Sequence, residues 1–335
     1  MTIREKAELR EKQFFSPYAS FSTETKGRER EEALCDIRTV YQRDRDRILH
    51  AKSFRRLKHK TQVFLRPQGD HYRTRLTHTL EVAQIARTIA RALCLNEDLT
   101  EAAALGHDLG HTPFGHAGEH ALNEICPLGF AHYRQSVRVV EVLENKGRGL
   151  NLTWEVRDAI ANHRTSGKPS TLEGKIVRLS DKIAYINHDI DDAERAGILM
   201  ESEIPLRYRE VLGFSTKERL NSIIHDIVRN SEGRPDIVMS PHMEQAMSEL
   251  RQFMFKHVYK NPRAKTEEEK ARNMIQALYR HYEKHPEEMP MEYVSLTERG
   301  EQREQVICDY IAGMTDQYSM DRFSELYIPK SWQVK

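Results

Sequence analysis

Apolar positions recur at helical spacing along nearly the whole chain. Leu80, Ala83, Ile85, Ala86, Ile89, Ala90 and Leu93 approximate one stripe of a 3.6-residue period behind a candidate cap at Thr77, and predict a helix. Val137, Val140, Leu143 and Glu144 continue such a pattern over 134–146. Ser170-Thr-Leu-Glu173 has the form of a capping box ahead of Ile176, Val177, Leu179, Ile183, Ala184 and Ile186, so another helix should start there. One segment departs from the helical period. From Gln62 to Arg73 a β-rich run meets a Pro-Gln-Gly-Asp turn, which predicts a small β-hairpin. The first 30 residues are polar and aromatic without a clear period and read as an arm that packs on something. Residues 262–272 read as a charged connection into further helices, and there is no internal repeat or low-complexity tract. The pattern predicts a mainly α protein: an N-terminal arm and helix over 1–42, a core over 43–200, and a C-terminal helical region over 201–335.

Composition narrows the function classes. An apolar fraction of 39% with 31% charged residues suits a globular chain with a sizeable core. The acidic and basic counts leave +1, so no global field draws in nucleic acid. Eight Lys or Arg between Arg43 and Lys60 are interleaved with Asp44 and Asp46, and most of them read as a solvated face with internal ion pairs. A nucleic-acid partner is compatible with that segment but not required by it. Cys35, Cys94, Cys126 and Cys308 lie far apart without a CxxC pair, as free thiols of a reducing compartment do. The opening Met1-Thr-Ile-Arg-Glu-Lys-Ala-Glu carries acids and no apolar stretch, and no window approaches the ~18 apolar residues of a membrane span. The expectation is a cytoplasmic protein without a membrane partner.

Histidines carry the chemistry. There are sixteen, and the dipeptide His-Asp occurs at 107–108, 188–189 and 225–226, so the dipeptide alone means little. The first copy sits in Ala102-Ala-Ala-Leu-Gly-His-Asp-Leu-Gly-His-Thr-Pro-Phe-Gly-His-Ala-Gly-Glu119, among small residues, imidazoles and carboxylates. Small residues allow close approach, Pro113 must interrupt the helix, and a new helix near Gly115 would aim its first amides into a cleft, where they favour phosphate. A hard metal with catalytic duties takes imidazole and carboxylate ligands and keeps open water positions. His107 and Asp108 can reach one ion together, with one more ligand from each neighbouring helix. His78 opens the preceding helix. Asp181 lies on the otherwise apolar stripe of the following one, where a buried acid needs a partner; a basic neighbour would serve Asp181 taken alone. Asp181, Tyr185 and Asp189 recur every four residues and share one helix face.

The set His78, His107-Asp108, Asp181 resembles the HD phosphohydrolase signature. The flanking text is similar to one branch, the deoxyguanosinetriphosphate triphosphohydrolase-like enzymes. It does so through Arg43-Asp-Arg-Asp-Arg-Ile-Leu-His50, Phe54-Arg-Arg-Leu-Lys-His-Lys-Thr-Gln-Val63, Arg73-Thr-Arg-Leu-Thr-His78, the block Gly106–Glu119 and Asp309-Tyr-Ile-Ala-Gly-Met-Thr-Asp316. The resemblance runs from about residue 30 to 326. It implies an HD-type helical core with additional C-terminal helices, and one divalent metal ion (Mg, Mn, Fe, Co, Ni or Zn are not distinguished) on His78, His107, Asp108 and Asp181.

Residue by residue, the resemblance implies that His116 lies nearest the α-phosphate, acting in proton transfer to the leaving sugar oxygen or as nucleophile, with Glu119 orienting it. His111 would contact the phosphates and His132 would line the same pocket. Relatives carry an Asn or an acid after that histidine, whereas Tyr133 stands here, which leaves the part of His132 open. Arg75 and one of Arg55, Lys58 or Lys60 would meet the phosphate tail. Gln62 and Asp189 would hold the sugar 3′-hydroxyl, and Tyr185 would pack where a ribose 2′-hydroxyl projects. The implied reaction is dNTP plus water to deoxynucleoside plus triphosphate, in a homo-oligomer with room for an activating dNTP at a second site. Two other readings stand beside it: a nucleotidase acting on deoxynucleoside monophosphates, and a catalytically silent nucleotide sensor. The complete ligand set with His116 and Glu119 argues against loss of catalysis.

Overall fold

The computed structural model describes residues 1–62, 73–259 and 262–330. Among them the chain is helical throughout, with one isolated antiparallel bridge between Thr61 and Thr74. The hairpin expected from Gln62 to Arg73 falls on residues outside the described ones. The helices are Ile3–Phe14 (α1), Val40–Leu49 (α2), Lys52–Arg56 (α3), Arg75–Ala92 (α4), Glu97–Gly106 (α5), Gly115–Ile125 (α6), His132–Arg138 (α7), Glu144–Gly147 (α8) and Trp154–Asn162 (α9). They continue with Leu172–Arg195 (α10), Leu206–Leu212 (α11), Thr216–Ser231 (α12), Pro241–Met254 (α13), Pro262–Lys284 (α14), Met291–Glu298 (α15), Arg303–Ala312 (α16) and Asp316–Tyr327 (α17).

Caps set where the site helices begin. α4 starts earlier than Thr77, because Thr74 and Thr77 cap each other: Thr74 N–H donates to Thr77 Oγ1 at 3.0 Å and Thr77 N–H to Thr74 Oγ1. Arg75 and His78 therefore share the first turn of α4, one turn apart. α10 starts one residue later than the Ser170 box implies. Thr171 is the cap, accepting from Gly174 N–H at 3.0 Å, while Ser170 N–H donates to Asp158. Glu173 is then free to turn away from the helix end, and it accepts from Ser20 N–H, Ser20 Oγ and Asn96 N–H, so the N-terminal arm packs on the start of α5 and α10. The pattern over 134–146 is helical through Leu143, as α7 to Arg138 and then a π-helical turn over Val139–Leu143, and it breaks where Asn145 and Lys146 are left-handed. Residues 262–272 are the first turns of α14 instead of a connection, since a helix led by Pro and rich in Ala, Lys and Glu needs no tertiary help to start.

Buried apolar side chains form two clusters. The larger gathers α2, α4, α5, α9 and α10 with α12 and α13, through residues such as Tyr41, Ile48, Ile85, Ile89, Leu99, Ile160, Ile176 and Ile223. The smaller joins α6 to α14, α15 and α16 through Ala121, Leu122, Ile275, Leu278, Tyr279, Val306 and Ile311. The loop 107–114 passes from one cluster to the other, Leu109 lying in the first and Phe114 in the second.

Candidate active site

That seam is where the candidate ligands meet. His78 comes from α4, His107 and Asp108 from the turn that ends α5, and Asp181 from the middle of α10. His78 Nε2 lies 3.1 Å from Asp181 Oδ1, and His107 Nε2 lies 3.7 Å from the same oxygen and 3.6 Å from Asp108 Oδ1. Donors about 3–4 Å apart are spaced as neighbours on one ion at bond lengths of about 2.0–2.2 Å. Donor atoms of His78, His107 and Asp108 all lie within 4.8 Å of one another.

The orientation of His107 favours that use. Its Nδ1–H donates to the Ala104 carbonyl at 2.6 Å, which leaves a lone pair on Nε2. Nε2 is fully buried with no hydrogen-bond partner, an arrangement that is costly without a cation to bind. Burial works against the charge of both carboxylates, yet the imidazoles around Asp108 and the Arg75 guanidinium hold it well below the usual carboxylate range. Asp181 is held at about 2, the His78 bond and the His107 ring overcoming its burial. Both acids stay ionised at neutral pH, as metal ligation demands. The donor set thus fits a divalent cation.

A second group of imidazoles adjoins it on the side of α6 and α7. His111 Nε2 is 3.4 Å from Asp108 Oδ1, and its ring stacks on His132 at 4.1 Å between centroids. Glu119 holds His132 twice, accepting from its backbone N–H at 2.9 Å and from Nδ1 at 2.9 Å. His116 Nδ1 is 3.4 Å from the other oxygen of Glu119, and the His116 side chain is 76% exposed, on the solvent side of the cluster. Burial opposes charge on both members of the Glu119–His132 pair; the bonds from His116 and His132 nevertheless drive Glu119 far below its usual range, and the Glu119 bond raises His132. Phe114 is left-handed at φ 60°, so the chain swings back and α6 begins at Gly115. Gly115 has φ +54° and lies beside Arg75, whose Nη2 is 3.2 Å from where a β-carbon would be. Arg75 is buried, donates to Asp108 Oδ2 at 2.8 Å, and keeps an unpartnered Nε.

Two more expected residues follow Asp181 on α10, and a third, Gln62, lies beside Gly115. Tyr185 carries a buried hydroxyl without a partner, Asp189 accepts from Tyr259 with one oxygen and leaves Oδ1 unpartnered, and Gln62 Oε1 is likewise unpartnered. Burial and the charge of Asp192 push Asp189 well above its usual range.

Lys60 does not join the cleft. It is buried, and its ammonium donates to the carbonyls of His111 and Ala312. Desolvation, with repulsion from Arg56, pulls its pKa well below normal, and two of its donors are held by backbone carbonyls. Arg55 faces elsewhere, into a cavity of about 750 Å³ that also receives Arg38, Arg43, Arg47, Lys52 and Lys146. Several cations of the 43–60 segment are ion-paired there and nearby, Arg43 to Glu32 at 3.0 Å and Arg45 to Asp98 at 3.0 Å.

Lys60 is half of a clamp on the site loop. The other half is Asp316, at the start of α17, which accepts from Phe114 N–H and Thr61 N–H, each at 3.0 Å. On α16, Asp309 accepts from Gln135 at 2.9 Å and from Arg138 at 2.8 Å, tying α7 to the same region. The 309–316 block thus touches the loop and α7, not the ligands.

Two histidines went unremarked in the sequence. His188, in the second His-Asp pair, lies 3.4 Å from His78 Nδ1 and meets Glu81 at 2.8 Å. It is seven residues after Asp181, on the same face of α10, so helical spacing could have found it. His163 follows the end of α9 and lies 3.2 Å from His132, nitrogen to nitrogen. No period reaches a residue outside a helix, and only the fold brings it in.

Residues 75–186 match the HD domain, and residues 237–325 match the phosphohydrolase-associated domain. A protein of Caldanaerobacter subterraneus subsp. tengcongensis named deoxyguanosinetriphosphate triphosphohydrolase-like protein is 57% identical over 332 residues, covering 99% of this chain and 98% of its own length. Proteins of the same name from Desulfatibacillum aliphaticivorans and Clostridium tetani are 49% and 47% identical. The first covers 98% of this chain and 99% of its own, the second 98% and 97%.

Proposed function

This chain belongs to the deoxyguanosinetriphosphate triphosphohydrolase-like family of HD-domain proteins, and from that premise we propose that it is a metal-dependent dNTP triphosphohydrolase, converting dNTP and water to deoxynucleoside and inorganic triphosphate. The observation that carries the reading is the unpartnered His107 Nε2, aimed at the two carboxylates Asp108 and Asp181 beside His78. These four residues would hold the ion. When bound there, a divalent cation supplies Lewis-acid polarisation of a phosphoryl group and acidifies water.

The chain's own residues do the rest. Arg75, with its free Nε next to Asp108 and Gly115, meets a phosphate oxygen, and the first amides of α6 add to the anion site. His111 contacts the same phosphates from the loop before Pro113. His132, paired with Glu119, is a cationic ring against the negative charge that builds as the phosphorus–oxygen bond breaks. His116, also in reach of Glu119, is the group for proton transfer at the departing 5′-oxygen or for attack on the α-phosphorus. Tyr185 closes the sugar side where a 2′-hydroxyl would need a partner, and Gln62 and Asp189 each offer an unsatisfied oxygen to a 3′-hydroxyl.

The test is to incubate the purified protein with each dNTP and each of Mg, Mn, Fe, Co, Ni and Zn, and to identify the phosphate product. Intact triphosphate with free deoxynucleoside is expected. Orthophosphate or pyrophosphate as the first product would replace this reading.

A further inference from the structure

The polarity of the hydrogen bonds around His132 can be worked out ring by ring. His163 Nδ1 lies 2.7 Å from the Ile160 carbonyl, which can only accept, so the proton of His163 sits on Nδ1 and Nε2 carries a lone pair. His163 is buried and its ring has no acid among the described residues in hydrogen-bond reach, so a second proton there would be an unpaired buried charge. Facing that lone pair at 3.2 Å is His132 Nε2, which must donate for the contact to be favourable. His132 Nδ1 faces only the Glu119 carboxylate, so it donates as well. His132 is therefore held at both nitrogens, by an acid on α6 and by a neutral imidazole at the end of α9.

A second contact runs alongside. Tyr133 accepts from Arg164 at 2.9 Å and lies under its guanidinium at 4.3 Å, so consecutive residues at the start of α7 meet consecutive residues after α9. The aromatic residue after His132 has a structural reason: it fastens the segment that carries His163. The other charged or titratable groups facing His132 are His111, stacked on it, and Asp108 and Arg75, which act through their charge.

We propose that His163 is a positioning residue for His132, accepting its Nε2 proton and so completing with Glu119 a two-point hold that presents the ring, proton-bearing, beside His111 and Asp108. Without His163 the ring keeps one anchor and pivots about the Glu119 bond. The inference rests on the triphosphohydrolase reading for its effect on turnover, but not for the state of the ring.

Two variants and one spectrum test it. His163→Phe keeps a flat ring and removes the acceptor, while His163→Gln offers a carbonyl oxygen. In His163→Phe, kcat for the preferred dNTP should fall about tenfold or more with KM within about twofold, the scale of one lost hydrogen bond to a charged group. Metal content should be unchanged. His163→Gln should recover to within about threefold of wild type. Independently of activity, the nitrogen-15 spectrum of the wild-type histidines at neutral pH should show His132, assigned by its loss in His132→Ala, protonated on both nitrogens. Wild-type kcat in His163→Phe, equal impairment in both variants, loss of metal in both, or a bare Nε2 on His132 would each overturn the proposal. Failure of the wild type to hydrolyse any dNTP would instead overturn the function, leaving the spectrum to decide the role of His163.

Discussion

Gly110, between the ligand Asp108 and His111, is the tightest point of the site, and replacing it by Ala should damage stability and turnover together. A β-carbon there would lie 2.1 Å from Ser136 N, 2.4 Å from Gln135 C and 2.7 Å from His132 O. All three are backbone atoms of α7, so no rotamer change relieves the clash. Non-bonded carbon contacts settle near 3.5–4.0 Å, so α7 has to retreat by roughly 1 Å or more. Retreat stretches two hydrogen bonds that join the segments, Gly110 N–H to Ser136 Oγ at 2.9 Å and Ser136 Oγ to His107 O at 2.7 Å. Overpacking costs about 1–3 kcal/mol and each hydrogen bond about 1 kcal/mol, giving a total near 3–5 kcal/mol. In a chain of this size that is roughly a 4–7 °C fall in Tm. The shift also moves His132 relative to the ligand turn, and a misplacement of about 1 Å costs on the order of 100-fold in rate. Thermal melting and dNTP turnover of Gly110→Ala read both effects. Ser136→Ala, which loses the hydrogen bonds without the clash, should lose only about 1–2 kcal/mol. Were Gly110→Ala to melt within about 2 °C of wild type with full turnover, the packing argument would fail.

Replacing Asp108 by Ala should abolish metal binding and turnover, because two buried imidazoles and Arg75 lose the charge that offsets them; elemental analysis showing full metal occupancy in this variant would exclude Asp108 as a ligand. His116→Ala should retain the metal and lose about 100-fold or more in kcat, the usual scale of a positioned proton-transfer group, and near-normal activity would refute that role. The wild type should prefer dGTP to GTP by at least about tenfold in kcat/KM, since a hydroxyl pressed on Tyr185 loses water and gains no partner at a cost of roughly 1–3 kcal/mol. Tyr185→Ala should narrow the gap, and unchanged discrimination would place the gate elsewhere.

That the four candidate ligands would meet was legible because each obeys a rule that a sequence displays. His78 opens a helix, His107-Asp108 end the next among small residues, and Asp181 interrupts an apolar stripe. What was not legible depends on long-range contact. Lys60 lies in a basic run next to Gln62, and nothing local tells that its ammonium is consumed by His111 and Ala312, the latter far away in sequence. His163 has no period, and its meaning comes from α7 packing on α9. Cap positions slipped where two hydroxyl residues adjoin: Ser170 and Thr171 can each begin α10, and Asp158, a neighbour only in space, draws Ser170 away.

The clamp on the site loop has a consequence for when the protein becomes competent. Ribosomes deliver the chain from its N-terminus, and early domains begin to fold while later ones are still being made. All four candidate ligands have been synthesised once Asp181 is added, yet Ala312 and Asp316, which fasten the loop carrying His111, emerge only after α11 to α15 have followed. A nascent chain therefore carries its candidate ligand residues before it can clamp the loop that bears His111. The loop takes its clamped geometry only when α16 and α17 dock, so a chain that stalls before them lacks the contacts that fasten the His111 loop.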